Sequence, residues 1–174
     1  MSKTHFDLSQ IKAIVFDVDG VLSPVCIPMN ENGIPTRMAN LRDGYAIQLA
    51  VKKGIRICII TGANDPAIIS RFNLLGVKDI FMTKDAKINI LSRWLKDNNL
   101  DASNTAYVGD DIPDLECMQY VGLAVAPRDA APEIKEIAQY VTAARGGQGV
   151  ARELLEQILK VRNEWPLRAN ANGL

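Results

Sequence analysis

Apolar and polar positions fall in blocks along this chain rather than alternating residue by residue. Lys12 to Phe16 is nearly all apolar, the pattern of a strand covered on both faces. Ile55 to Ile60, Thr105 to Val108 and Gly122 to Ala126 repeat it, with shorter runs at Asp79 to Met82 and Tyr140-Val141. Stretches of helical periodicity separate these runs. Asp43 to Lys53 carries Tyr45, Leu49 and its alanines on one side and ends at Gly54, a helix stop. Asp65-Pro66 supplies an N-cap and a first-turn proline for a helix running to Leu75, before Gly76. Asp85 to Asn98 sets Ile88, Leu91 and Leu95 on one face, as an amphipathic helix does. Asp111-Ile112-Pro113 opens another helix, Ala130 to Ala138 forms the next, and Val150 to Arg162 closes the series. Strands and helices in alternation, joined by short connections, predict an α/β fold. Its sheet is parallel and doubly wound, Rossmann-like, with helices on both faces.

One segment departs from this rhythm. After Gly20, two short apolar runs flank Asn30-Glu31-Asn32-Gly33, and Asn-Gly between such runs predicts a β-hairpin. The hairpin forms a flap over about residues 24–40, directly after the first strand. Pro28 and Pro35 make its strands short, irregular or edge-like. A two-stranded ribbon is marginal alone and packs on something else, another subunit being one candidate. Residues 1–11 read as a polar lead-in, and the tail 163–174 lacks periodicity and is expected to be flexible. With no internal repeat and no second boundary, residues 1–174 read as a single domain.

Composition narrows the class. The 174 residues hold 20 Lys plus Arg against 20 Asp plus Glu, so nothing in the charge balance points to nucleic acid or an anionic membrane surface. No apolar run is long enough to span a bilayer, and the N-terminus has no signal-peptide core. Cys26, Cys58 and Cys117 show no metal-type spacing and read as reduced thiols of a cytoplasmic protein.

The candidate chemistry lies at the strand ends, which converge on one edge of such a sheet. Asp17 and Asp19 follow the first strand, Thr61-Gly62 the second, and Gly109-Asp110-Asp111-x-x-Asp114 the fourth, with Lys87 in the helix that runs from Asp85. Period-two alternation predicts that Asp17 and Asp19 share a side. Two like charges in a partly dry site call for a divalent cation and hydrogen bonds; a solvated polar turn is the plain alternative. A carboxylate can attack phosphorus, and a second can protonate the leaving alcohol and then deprotonate water. Magnesium suits an all-oxygen site, and Thr61 and Lys87 would hold the remaining phosphate oxygens. Taken singly, Lys87 reads as a solvated helix charge, and Asp110, Asp111 and Asp114 as helix caps.

In order and placement, Asp17-x-Asp19-Gly-Val, Thr61-Gly62, Lys87 and Gly109-Asp110-Asp111-x-x-Asp114 resemble the four motifs of the haloacid dehalogenase-like phosphatases. The flap, Arg42-Asp43-Gly44-Tyr45-Ala46-Ile47 and Gly146-Gly147-x-Gly149-x-x-Arg152-Glu153 are similar to its capless branch. That branch contains the 3-deoxy-D-manno-octulosonate 8-phosphate phosphatases of lipopolysaccharide sugar synthesis. The resemblance implies a magnesium-dependent phosphatase without a cap domain, working through an aspartyl-phosphate. Asp17 would be nucleophile and metal ligand. Asp19 would be general acid/base and bind the metal through its backbone carbonyl. Asp110 would complete the protein ligands, with Asp111 and Asp114 in the outer shell. Thr61, Gly62 and Lys87 would seat the phosphoryl group, and Arg71 and Asp43 would lie beside the substrate. The resemblance further implies a homotetramer whose hairpins and C-terminal segments close neighbouring sites.

Two departures bear on the substrate rather than the phosphoryl chemistry. Ala63-Asn64-Asp65 stands where the family carries an Arg shortly after Thr-Gly, and Gln148 replaces an Arg of the glycine loop. The alternatives are the phosphate of a related nine-carbon sugar acid, or a non-catalytic phospho-acceptor or oligomerisation domain.

Overall fold

The computed structural model describes residues 6–166. Six parallel strands form one sheet in the order β3-β2-β1-β4-β5-β6: β1 Ala13–Phe16, β2 Arg56–Thr61, β3 Asp79–Met82, β4 Thr105–Val108, β5 Leu123–Ala126 and β6 Tyr140–Val141. The helices are α1 Leu41–Lys52, α2 Pro66–Leu74, α3 Lys87–Asp97, α4 Leu115–Tyr120, α5 Pro132–Ile137 and α6 Val150–Val161. Strand order reverses between β1 and β4, which pair directly with Phe16 opposite Val108. A crevice therefore opens beyond the carboxyl ends of these two strands, where open α/β sheets bind ligands.

Strand alternation builds a core on each face. Ile14, Phe16, Ile57, Ile59, Val108 and Val125 pack with apolar residues of α1, α2 and α6. Ala13, Val15, Cys58, Ile60, Tyr107 and Ala124 pack against α3, α4 and α5. The central strands are buried along their whole length, which explains their continuous apolar runs.

Helix ends explain most boundary differences. Asn40 accepts hydrogen bonds from the backbone of Arg42 and Asp43, so α1 starts at Leu41, ahead of Asp43. Asp65 caps α2 through Ala67 N, as its sequence predicts. The helix expected after Asp111 begins as a 3-10 turn at Ile112–Asp114 before α4. The lead-in is less polar in its packing than in its composition: Ile11 is buried, and Phe6 and Leu8 pack against the core.

The flap differs from a ribbon. One antiparallel bridge joins Met29 to Pro35, and Asn30 Oδ1 accepts from Asn32 N and Ile34 N to shape the turn. Pro28 and Pro35 lack N–H groups, so a longer ladder is not available. Of the tail, Glu164 N bonds Leu159 O, and Trp165 meets Tyr45 edge-on at 6.0 Å beneath the Arg152 guanidinium. Residues 167–174, the rest of the tail expected to be flexible, lie outside the described residues. Among the described residues, no helix is long and apolar enough to cross a membrane.

Candidate active site

The end of β1 delivers Asp17 into the crevice, where its backbone N–H still bonds Val108 O of β4 at 3.0 Å. Its side chain lies on the same sheet face as Ala13 and Val15, toward α3. There Lys87, the first residue of α3, sets Nζ 2.9 Å from Asp17 Oδ2 and 2.8 Å from Asp114 Oδ1. Asp17 Oδ1 accepts the Val18 N–H at 2.7 Å. Ligand oxygens of Asp17, Asp110 and Asp114 all lie within 4.8 Å of one another, and all three residues are buried.

These three carboxylates are not equivalent. Asp114 accepts from Lys87, from the Tyr107 hydroxyl at 2.8 Å and from Asp110 N at 3.1 Å. It therefore holds the lysine and the β4 loop in place. Asp110 receives no hydrogen bond or ion pair on its carboxylate from the described residues. Three carboxylates against one ammonium leave two negative charges in excess when all are ionised. The physical consequence is an upward push on carboxyl pKa. Desolvation, and then the Asp114 charge, raise Asp17 despite Lys87; desolvation and Asp17 push Asp110 up to about 7. Lys87 also rises, because Asp17 and Asp114 outweigh its own burial. A divalent cation removes that excess directly. The open carboxylate of Asp110 beside Asp17 fits such an ion.

Close backbone approach fixes this floor. Gly20 has φ +77°, and a Cβ there would stand 1.9 Å from Asp110 Oδ2. A Cβ at Gly109 would stand 2.4 Å from the Asp114 side chain. From the far side, Gly146 packs so closely on Gly20 O that a Cβ would come within 2.1 Å. Glu153 of α6 pins that glycine loop by accepting from Ala143 N and Ala144 N, both at 2.9 Å.

Asp19 sits elsewhere. Because β1 ends at Phe16 and Val18 O closes a turn onto Val21, Leu22 and Ser23, strand alternation does not extend to it, and its carboxylate is outside the buried cluster. Both of its oxygens meet the guanidinium of Arg37, Nε at 2.9 Å and Nη2 at 2.8 Å. Arg37 belongs to the flap and also reaches Asp65 Oδ2 with Nη1 at 3.4 Å. Sequence reasoning passed over Arg37 and Tyr107; the signal available for the first was that it is the one cation of the flap.

The other expected site residues divide. Thr61 is buried at the end of β2, with its hydroxyl accepting Ala63 N–H at 3.1 Å, and Gly62 follows, where a Cβ would stand 3.8 Å from Thr83 O. Asp111 is exposed and caps the 3-10 turn through Ile112 N. Asp43 is buried far from the three carboxylates in function: Oδ1 accepts Arg152 N at 2.6 Å, so it caps α6, whose own N-cap is Gly149. Its Oδ2 has no partner, and burial pushes this carboxyl up to about 6. Arg71 packs its guanidinium against Gly44 of α1. Asp43 and Arg71 line a cavity of about 470 Å³ between the flap, α1 and α2, together with Val18, Arg37 and Asp65. That size suits a small molecule.

Residues 73–154 match the model of a haloacid dehalogenase-like hydrolase family. The chain is 38% identical over 149 residues to the 3-deoxy-D-manno-octulosonate 8-phosphate phosphatase KdsC of Escherichia coli K12, covering 86% of this chain and 79% of that one. Its structure is similar to that of the 3-deoxy-D-manno-octulosonate 8-phosphate phosphatase from Moraxella catarrhalis, solved with magnesium, phosphate and KDO. There the TM-score is 0.86 at 32% identity, over 91% of each chain. The cobalt-bound phosphatase YrbI of Haemophilus influenzae gives a TM-score of 0.85 at 31% identity, over 90% of this chain and 91% of that one.

Proposed function

The chain belongs to the haloacid dehalogenase-like hydrolases, and from that premise we propose that it is a magnesium-dependent sugar-acid phosphatase. Its substrate in this reading is 3-deoxy-D-manno-octulosonate 8-phosphate, cleaved to the free sugar acid and phosphate in lipopolysaccharide biosynthesis. The observation that carries the reading is the buried set of Asp17, Asp110, Asp114 and Lys87. It combines a nucleophile, a fixed cation and an open carboxylate at the switch point of the sheet.

Asp17 attacks phosphorus as the bond from phosphorus to the sugar oxygen breaks, giving an aspartyl-phosphate; water then attacks the phosphorus of this mixed anhydride, releasing inorganic phosphate and regenerating the carboxylate. Asp19 gives a proton to the leaving sugar hydroxyl and takes one from the attacking water. Lys87 and the Thr61 hydroxyl hold phosphoryl oxygens, and backbone N–H groups at Gly62 complete the seat. Asp114, with Tyr107, keeps Lys87 aimed at Asp17. Asp17, Asp110 and the backbone carbonyl of Asp19 would hold Mg²⁺, with Asp111 and Asp114 behind them. When bound, the ion would neutralise negative charge on the nucleophile and the phosphoryl group. Arg71 and Asp43 face the sugar acid from the chamber.

The reading extends to assembly and compartment. Val25, Met29 and Met38 of the flap and Leu41 at the start of α1 are more than half exposed, an apolar edge suited to further copies of this chain, here a homotetramer. Three unpaired cysteines fit the reducing cytoplasm.

The test is phosphate release with magnesium from eight- and nine-carbon sugar-acid phosphates and from a neutral sugar phosphate. The reading expects the eight-carbon substrate to show the highest kcat/KM. Preference for the nine-carbon acid would move the substrate by one carbon, and equal rates on all three would overturn sugar-acid specificity.

A further inference from the structure

Arg37 occupies a position that the chemistry above cannot leave unchanged. Its guanidinium takes up both oxygens of Asp19, at 2.9 and 2.8 Å, while its third nitrogen reaches Asp65 at 3.4 Å and Pro35 O. The Arg37 side chain is only 13% exposed, against 43% for Asp19. The flap that carries it has few other ties. Met38 N bonds Ser23 Oγ, Asn40 Nδ2 bonds Gly147 O, and one backbone bridge holds the hairpin together. The arginine is thus the main polar link between flap and catalytic loop. It also lines the chamber that Arg71 and Asp43 line.

A carboxylate gripped at both oxygens by a guanidinium has half of its lone-pair sites taken and is held toward the flap rather than turned to a leaving hydroxyl. A guanidinium accepts another oxyanion in the same forked geometry, carboxylate or phosphoryl alike. Arg37 also stands beside Asp65, in the stretch Ala63-Asn64-Asp65 that lacks a cation of its own. Resting on the phosphatase reading above, we propose that Arg37 is a substrate-binding residue that exchanges partners. In the free protein it ties the flap to Asp19 and Asp65; in the complex it grips an oxyanion of the substrate and leaves Asp19 facing the reacting oxygen. The flap thereby closes on the substrate it has recognised.

The experiment compares wild type, Arg37→Ala and Arg37→Lys, each checked for fold by circular dichroism. It measures KM and kcat for 3-deoxy-D-manno-octulosonate 8-phosphate and for p-nitrophenyl phosphate, and inhibition by the free sugar acid and by inorganic phosphate. Loss of a charge-assisted contact predicts that Arg37→Ala raises KM by about 10- to 100-fold, with a smaller change in kcat. Arg37→Lys restores part of it, since charge returns without the fork. Weaker inhibition by the sugar acid alone assigns the oxyanion to the carboxylate. Weaker inhibition by phosphate, with a raised KM for p-nitrophenyl phosphate, assigns it to the phosphoryl group. KM and both inhibition constants within twofold of wild type would overturn the exchange. Failure of the substrate reading is separable: wild type would then ignore the sugar acid, and the phosphate arm would still decide the role of Arg37.

Discussion

The floor of the crevice and the flap at its mouth are both built around charged pairs, but they are held by different forces. In the floor, Asp17 and Asp110 follow directly on the paired strands β1 and β4, and Lys87 and Asp114 reach them from the start of α3 and the 3-10 turn before α4. Glycines let the loops touch, and every charged side chain there is at least nine-tenths buried. At the mouth, Arg37 and Asp19 meet across a flap with a single bridge, and Asp19 is nearly half exposed. The contrast assigns rigid preorganisation to the phosphoryl chemistry and adjustable contacts to substrate recognition.

The comparison can be broken most severely at Lys87. Lys87→Ala removes the cation of the floor and leaves its carboxylates facing one another, and kcat/KM should fall on the order of 10²- to 10³-fold. Steady-state phosphate release measures this, and a loss under tenfold would mean that Lys87 is a structural partner of Asp114 only.

Two glycines of the same backbone class sharpen the contrast. Gly20 (φ +77°) faces Asp110, whereas Gly33 (φ +73°) in the flap turn has open space around its would-be Cβ. Gly20→Ala should destabilise by about 3 kcal/mol or more and disable the site. Gly33→Ala should cost about 1–2 kcal/mol of turn strain with turnover close to wild type. Denaturant melts and activity assays on the pair report both. Equal effects would erase the distinction between floor and flap.

A smaller, graded effect concerns pH. Asp110 titrates near 7 in the folded, metal-free protein against an ordinary value of 3.8, and Asp17 shifts the same way. The folded state therefore binds more protons than the unfolded chain in that window. This contribution favours folding below the ordinary value and is lost as pH rises toward about 7. Magnesium replaces those protons. Its thermal stabilisation should accordingly be several degrees larger at about pH 8 than at about pH 5.5, read by differential scanning fluorimetry. A shift independent of pH would detach the ion from Asp17 and Asp110.

The same division explains what could be read from the sequence. Strand ends in a parallel sheet must converge on one edge, so the periodicity of the apolar runs is enough to put Asp17, Thr61 and Asp110 there. The amphipathic pattern gives the helix that carries Lys87 but starts it at Asp85, two residues before its first turn, because no side chain caps it at Ala86. Asp19 was misdirected because alternation was extended past Phe16, where the chain already turns. The bond from Arg152 N to Asp43 joins residues 109 apart, and no local pattern reports such a cap. Arg37 escaped notice for a related reason. Its partners lie 18 and 28 residues away and are reached by a loop whose path no periodicity constrains.

The central claim, that Asp17 is the phosphoryl acceptor, is tested most directly by phosphate release from 3-deoxy-D-manno-octulosonate 8-phosphate with magnesium. The comparison is between wild type and Asp17→Asn, both shown to be folded. The account predicts rapid release by wild type and a loss on the order of 10⁴-fold or more in the variant. An Asp17→Asn protein that releases phosphate within tenfold of wild type would contradict it.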